Sequence, residues 1–225
     1  MKKALHVHNE FDLYEKYINT DSICYDIGAH VGEISFQIAQ KGAEVYAFEP
    51  SPNNFPNLKS NCENFKIKCF NVGLHEKSYS CTTQFKDCRT DYTDSSGKKI
   101  DTVQQIEYIL LEEFIKNNNI PLPDFIKLDI EGMESLVLKT FNFLFEHKRP
   151  VIYVEIHAAP NGNKIQDYPD NPHWVWPKNG GFDFNELKKF NYLIIDEGRV
   201  LDIAEDYNPK EESHKPYILI PLEKI

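Results

Sequence analysis

Four short runs are apolar almost throughout: ICYDI (23–27), EVYAF (44–48), DFIKLDI (124–130) and PVIYVEI (150–156). Runs this short and this apolar read as strands covered on both faces, which happens mainly where helices flank a parallel sheet. Helical patterns lie around them. Residues 11–18 place Phe11, Tyr14, Tyr17 and Ile18 on one side. Residues 33–40 do the same with Ile34, Phe36, Ile38 and Ala39, and Gly42 is placed to end that helix. Ser51 stands as an N-cap before a helix running towards residue 61, followed by a strand at 67–71. Residues 77–99 are polar and read as short edge strands and loops. A helix is expected at 109–117, buried through Leu110, Leu111, Phe114 and Ile115 and stopped by Pro121 and Pro123. Another is expected at 134–145 and a short one at 184–190, with late strands at 192–196 and 217–220. The alternation predicts an α/β fold with a doubly wound, mostly parallel sheet. No Pro/Gly/Ser-rich linker interrupts it, so residues 1–225 are expected to form a single domain.

Composition removes several classes of function. The chain has 225 residues, 41% hydrophobic and 27% charged, as a soluble globular chain does. Lys plus Arg is 25 and Asp plus Glu is 35, a net charge of 25 − 35 = −10. A phosphate backbone needs a basic face, so no nucleic-acid partner is expected. No apolar run approaches the ~20 residues of a membrane span, and the start, MKKALHVHNE, lacks an apolar signal core. No membrane association is expected, and a cytoplasmic location is. The five cysteines, Cys24, Cys62, Cys69, Cys81 and Cys88, are odd in number and contain no C-x-x-C pair, against a disulfide framework or structural zinc. Cys24 reads as a small core residue.

Chemistry concentrates where strands end. Residues 26–32, DIGAHVG, follow a strand and open a helix. Gly28 and Gly32 let the backbone turn sharply and approach a ligand, and a helix start presents free N–H groups. The G-x-G-x-x-G pattern is absent because position 30 is His, and the Walker pattern is absent too, which argues against a nucleotide polyphosphate. Glu49 ends the second strand, 17 residues after Gly32, where a carboxylate can accept both ribose hydroxyls of a nucleoside.

With these residues in view, the chain resembles the FkbM family of class I, Rossmann-like S-adenosylmethionine-dependent methyltransferases. Four segments carry the resemblance: YDIGAHVGEIS (25–35), VYAFEPSPNNF (45–55), DFIKLDIEGMESLVLK (124–139) and PVIYVEIH (150–157). The resemblance implies that Asp26, Gly28, Ala29 and Gly32 form a turn against the methionine part of S-adenosylmethionine. Glu49 would hold the ribose, with Pro50 and Ser51 beside it. Asn71 and Val72 would flank the adenine, and Asp129, Glu131 and Gly132 would face both cofactor and acceptor. His30 departs from the pattern, since related sequences commonly carry Asn there. It reads either as a cofactor contact or as a helix-start residue without chemistry.

Methyl transfer asks mainly for alignment, because the sulfonium already activates the methyl group. A hydroxyl acceptor is a weak nucleophile and gains from a nearby base. Asp129 and Glu131 sit two apart at one strand end, so one can take the proton while the other orients the acceptor. Glu155 and His157 repeat the spacing on the next strand, and His157 titrates near neutrality. The same four side chains can alternatively be structural polar groups or hold a divalent cation. Acid/base use is the expectation and no metal site is predicted, since the spacing is not that of a dedicated ligand set. Residues 158–183 form the expected acceptor-side loop. Within them His173, Trp174 and Trp176 read either as a sugar-binding lid or as anchors of a long loop. Residues 1–21 are the expected N-terminal helical extension, and the acidic run 202–212 is a solvated face.

The expected activity is O-methylation of a sugar, glycan or related small molecule. N- or carboxyl-methylation would need no strong base, and a cofactor-binding subunit without turnover stands as a further alternative. Composition leaves the oligomeric state open.

Overall fold

The computed structural model describes residues 9–84, 103–157, 184–196, 198–201 and 215–225. β1 (Ile23–Ile27), α1 (Glu33–Gln40) and β2 (Glu44–Phe48) fall on the residues expected. They are followed by α2 (Phe55–Cys62), β3 (Ile67–Phe70), β4 (Gly73–Leu74), β5 (Tyr79–Gln84), β6 (Val103–Ile109) and α3 (Leu111–Asn118). Then come β7 (Phe125–Leu128), α4 (Glu134–Leu138), α5 (Asn142–His147), β8 (Val151–Ile156), α6 (Asn185–Lys188), β9 (Tyr192–Asp196), β10 (Arg199–Val200) and β11 (Lys215–Pro221).

Eight strands form one sheet in the order β10-β9-β11-β8-β7-β1-β2-β3. The pairs from β3 through β8 are parallel, and β11 runs antiparallel to both β8 and β9. Cys24 and Asp26 pair with Phe125 and Lys127, which pair with Val151 and Tyr153, so these residues share one face. Ile34 and Ile38 of α1 cover that face together with Phe11, Tyr14 and Ile18. The Tyr14 ring lies 5.2 Å from Phe125 and 4.5 Å from Tyr153. Tyr25, Phe48, Ile126, Leu128 and Val154 fill the other face against Leu111, Val137, Leu144 and Phe145. Apolar strands buried on both sides thus give the doubly wound α/β architecture. No described helix is long and apolar enough to cross a membrane.

Several elements differ from expectation. Residues 11–18 form two 3-10 segments, Asn9–Leu13 and Glu15–Tyr17, closed by Tyr14 N–H to the Phe11 carbonyl and Ile18 N–H to the Glu15 carbonyl. The three-residue spacing of Phe11 and Tyr14 suits a 3-10 turn as well as an α-helix. Ser51 is not the N-cap: α2 begins after Asn54, and the Ser51 carbonyl, not its hydroxyl, receives the Asn54 and Phe55 N–H groups. The helix expected at 109–117 starts later because Ile109 belongs to β6, and it ends at Asn119 in the left-handed conformation, before the prolines. The helix expected at 134–145 divides into α4 and α5. At the break Thr140 and Phe141 N–H groups turn back three residues, and the Thr140 hydroxyl donates to the Val137 carbonyl.

A second sheet, β4-β6-β5, holds β5 within the short edge strands expected at 77–99, but β6 and the pairing into a separate sheet are not expected from the sequence. Ile106 and Tyr108 of β6 pack on Met133 and Ile130, so this sheet lies against the turn that follows β7. The signal was an alternation, with Gln105 and Glu107 exposed and Ile106 and Tyr108 buried. The expected loop at 158–183 with His173, Trp174 and Trp176, the acidic run 202–212 and Cys88 lie outside the described residues.

Candidate active site

The strand order departs in opposite directions from β1, through β2 to β3 and through β7 to β8. The crevice beyond the strand ends at such a reversal is where open α/β sheets bind ligands. The turn 26–32 lies there. Gly28 has φ +83°, and a Cβ on it would stand 1.8 Å from the Asp129 carbonyl oxygen. Only glycine lets the turn rest on the end of β7 this closely. Gly28 and Ala29 N–H groups both donate to the Phe48 carbonyl at 3.0 Å, tying the turn to β2. Gly32 has φ +91°, and a Cβ there would meet the Leu58 side chain at 2.8 Å. His30 has φ +52°. His is among the few non-glycine types that take this left-handed backbone with some frequency.

Glu49 is buried at the end of β2. Its carboxylate accepts the His30 N–H at 2.8 Å and the Ser51 N–H at 2.9 Å, bridging the two loops that follow β1 and β2. Burial pushes its pKa up to about 7, against the lowering influence of those N–H donors. Asn71 donates to the Glu49 and Pro50 carbonyls at 2.9 and 3.2 Å. Val72 is buried beside it. Gly28, Ala29, His30, Gly32, Glu49, Pro50, Ser51, Asn71 and Val72 thus lie on the loops at the ends of β1, β2 and β3, while Asp26 is fully buried within β1 and accepts the Ser35 hydroxyl.

Asp129, Glu131, Glu155 and His157 gather at the ends of β7 and β8. His157 Nε2 lies 3.9 Å from Asp129 Oδ1, 3.5 Å from Glu131 Oε2 and 3.8 Å from Glu155 Oε1. Burial disfavours the imidazolium, but hydrogen bonding to Glu134 and the surrounding carboxylates outweigh it and bring the His157 pKa to about 9. In this environment the imidazole is protonated at neutral pH. Burial, reinforced by the Asp129 carboxylate, raises the pKa of Glu155. Glu131 sits in a left-handed turn, φ +58°, with its side chain 33% exposed, the most accessible of the four.

The family model for the methyltransferase FkbM domain matches residues 26–196, three quarters of the chain. The chain belongs to the FkbM methyltransferase family. It is similar to the hexuronic acid methyltransferase AglP of Haloferax volcanii, with 28% identity over 139 residues, 62% of this chain and 57% of the relative. Among solved structures it is similar to an FkbM methyltransferase from Methylobacillus flagellatus, with TM-score 0.53 and 18% identity over 90% of this chain and 44% of the other. WbdD, crystallised with a kinase inhibitor, gives TM-score 0.53 and 12% identity over 95% of this chain and 40% of the other. The chain therefore spans about half the length of these relatives. The structural likenesses establish the class I, Rossmann-like fold.

Two further residues of this FkbM-family chain stand at the site. Lys127 is 4% exposed in the middle of β7. Its Nζ donates to the Gly28 carbonyl at 2.9 Å and lies 3.2 Å from Asp129 Oδ2 and 3.7 Å from Asp26 Oδ1. Burial works against its charge, but Asp129 and Asp26 prevail and hold its pKa above the ordinary lysine range. A lysine between apolar neighbours, as in FIKLDI, was the available signal. Glu134 is 1% exposed at the start of α4. Donor atoms of Asp129, Glu134 and His157 come within 4.8 Å of one another, the separation a bound cation would require. The Glu134 oxygens are already engaged, by the Ile130 and Gly132 N–H groups and by His157, while Asp129 Oδ1 stands 3.9 Å from His157 Nε2. The signal for Glu134 was a third carboxylate in DIEGME.

Proposed function

We propose that this methyltransferase uses S-adenosylmethionine to methylate a hydroxyl group of a sugar, glycan or related small molecule. The observation that carries the reading is the convergence of two carboxylate sets on one crevice: Glu49 beside a glycine turn, and Asp129, Glu131 and Glu155 around His157. The residues fit the cofactor. The Gly28 turn leaves no room for a side chain against β7, and Glu49 Oε2, which accepts the His30 N–H, keeps a lone pair for a ribose hydroxyl, while Oε1 takes the Ser51 N–H and the Asn54 amide. Asp26, Gly28, Ala29 and Gly32 would hold the methionine part, Glu49 with Pro50 and Ser51 the ribose, and Asn71 and Val72 the adenine.

When bound, the cofactor supplies a methyl group already activated as a sulfonium. Asp129 and Glu131 orient the acceptor hydroxyl, and a carboxylate of this pair takes its proton. His157 starts protonated. In that state its Nε2–H faces Asp129, Glu131 and Glu155 as a donor, and it can serve as a base only as the pH approaches 9. Lys127 keeps the Gly28 peptide and Asp129 in register.

A second reading rests on the AglP relative, a hexuronic acid methyltransferase. Such a sugar offers a carboxylate as well as hydroxyls, so the product would be an ester in place of an ether. The test begins with calorimetric titration of S-adenosylmethionine and S-adenosylhomocysteine into wild type, Glu49→Ala and Gly28→Val. Saturable binding weakened by both substitutions supports the cofactor site, and no binding to folded wild type sinks the reading. Labelled methyl transfer to neutral sugars and hexuronic acids then follows, with and without chelator. Mild alkali releases methanol from an ester and leaves an ether intact.

A further inference from the structure

Glu134 joins the turn after β7 to His157 and is itself only 1% exposed. Its Oε1 accepts the Ile130 N–H at 2.9 Å and the Gly132 N–H at 3.0 Å, and its Oε2 also meets the Gly132 N–H at 3.1 Å. These bonds clasp the turn on which Glu131 adopts its left-handed backbone, a conformation that a non-glycine residue holds only when its surroundings enforce it. Across the crevice wall, Oε2 accepts the His157 N–H at 3.4 Å and Oε1 lies 3.1 Å from His157 Nδ1.

The surroundings of the imidazole then decide its tautomer. Nδ1 faces two acceptors, Glu134 Oε1 and the Glu155 carbonyl, both at 3.1 Å. An acceptor nitrogen cannot satisfy two acceptor oxygens, so Nδ1 carries the proton. Nε2 is left pointing at Asp129, Glu131 and Glu155. The charged groups facing His157 from the packed elements, among the described residues, are Glu134 from α4, Asp129 and Glu131 from the end of β7 and its turn, and Glu155 from β8.

We propose that Glu134 is a positioning residue of the acceptor site, holding the Nδ1 proton of His157 so that Nε2 faces the acceptor, and holding the turn that presents Glu131. It acts through these two side chains and does not contact the acceptor. This rests on the acceptor-site reading above, and the experiment separates the two.

The experiment records the 15N imidazole spectrum of the full chain from pH 5 to 10, in wild type and Glu134→Gln, with His157 assigned by its loss in His157→Gln. In wild type the neutral imidazole is expected as the Nδ1–H tautomer. In Glu134→Gln the His157 midpoint, about 9 in wild type, is expected to fall by a unit or more, because the neighbouring negative charge is gone. An Nε2–H tautomer in wild type overturns the proposal whether or not Glu134→Gln folds. An unchanged midpoint in folded Glu134→Gln overturns it as well. In the methylation assay, Glu134→Gln is expected to lower kcat roughly 10- to 100-fold while cofactor affinity stays within about threefold. An equal loss of cofactor affinity marks a general structural role and overturns it. If wild type methylates no sugar or uronic acid, the proposed reaction fails, and the imidazole spectra still decide the role of Glu134.

Discussion

At the scale of single residues, buried charge sets the behaviour of the site. Lys127 is the cation between Asp26 and Asp129, and removing one partner of a buried ion pair leaves the rest uncompensated. Lys127→Met is expected to destabilise the fold by roughly 3–5 kcal/mol in urea denaturation at neutral pH. Part of that loss should return on acidification, as the stranded carboxylates take up protons. Glu49 gives a pH signature. In the proposed cofactor site ribose hydroxyls would donate to its ionised form, so cofactor affinity should rise with pH up to about 7 and level off above. Calorimetry from pH 6 to 8 checks this, and Glu49→Gln should bind more weakly and without that slope. His30→Asn relieves a left-handed backbone position and should stabilise the protein by about 0.5 kcal/mol. Glu49, Asp129 and His157 are legible as site candidates because chemistry-bearing types at strand ends stand out against apolar runs. Lys127 and Glu134 are not, because their partners, Gly28 for Lys127 and His157 for Glu134, are brought near only by the fold.

At the scale of elements, legibility followed burial symmetry. β1, β2, β8 and α1 were readable because strands buried on both faces are apolar throughout and α1 has one clear apolar stripe. Elements set by local hydrogen bonding were not. The α4/α5 break depends on Thr140 bonding to the Val137 carbonyl, and the 3-10 segments near the N-terminal end share their spacing with an α-helix. These segments are part of the core all the same. Tyr14 is fully buried on β7 and β8, so Tyr14→Ala should destabilise by about 3–5 kcal/mol, as loss of a buried aromatic does. A change within 0.5 kcal/mol would mean that the segment does not pack there in solution.

At the scale of the whole molecule, pH should act on stability with one sign above neutrality. The folded-state pKa of His157 is raised from 6.5 to about 9, so its contribution is complete below 6.5 and is lost as pH rises through 9. Glu49, raised from 4.5 to about 7, loses its contribution as pH rises between those values. The urea midpoint should therefore fall from pH 6.5 to 9, and His157→Gln should flatten the upper part of that decline. The parallel half of the sheet was visible in the sequence as alternating strands and helices. The place of β11 was not, because nothing local tells a late strand which neighbours it will take. β11 inserts between β8 and β9, although some sixty residues separate it from β8. The arrangement bears on how the chain is made. While it is being synthesised, β8 has an open edge on the side away from β7, and Glu155 and His157 ride on that half-paired strand. An unpaired apolar edge invites association with other chains. The acceptor wall therefore matures late, and newly made molecules should be most dependent on chaperones in the interval between the emergence of β8 and the docking of β11.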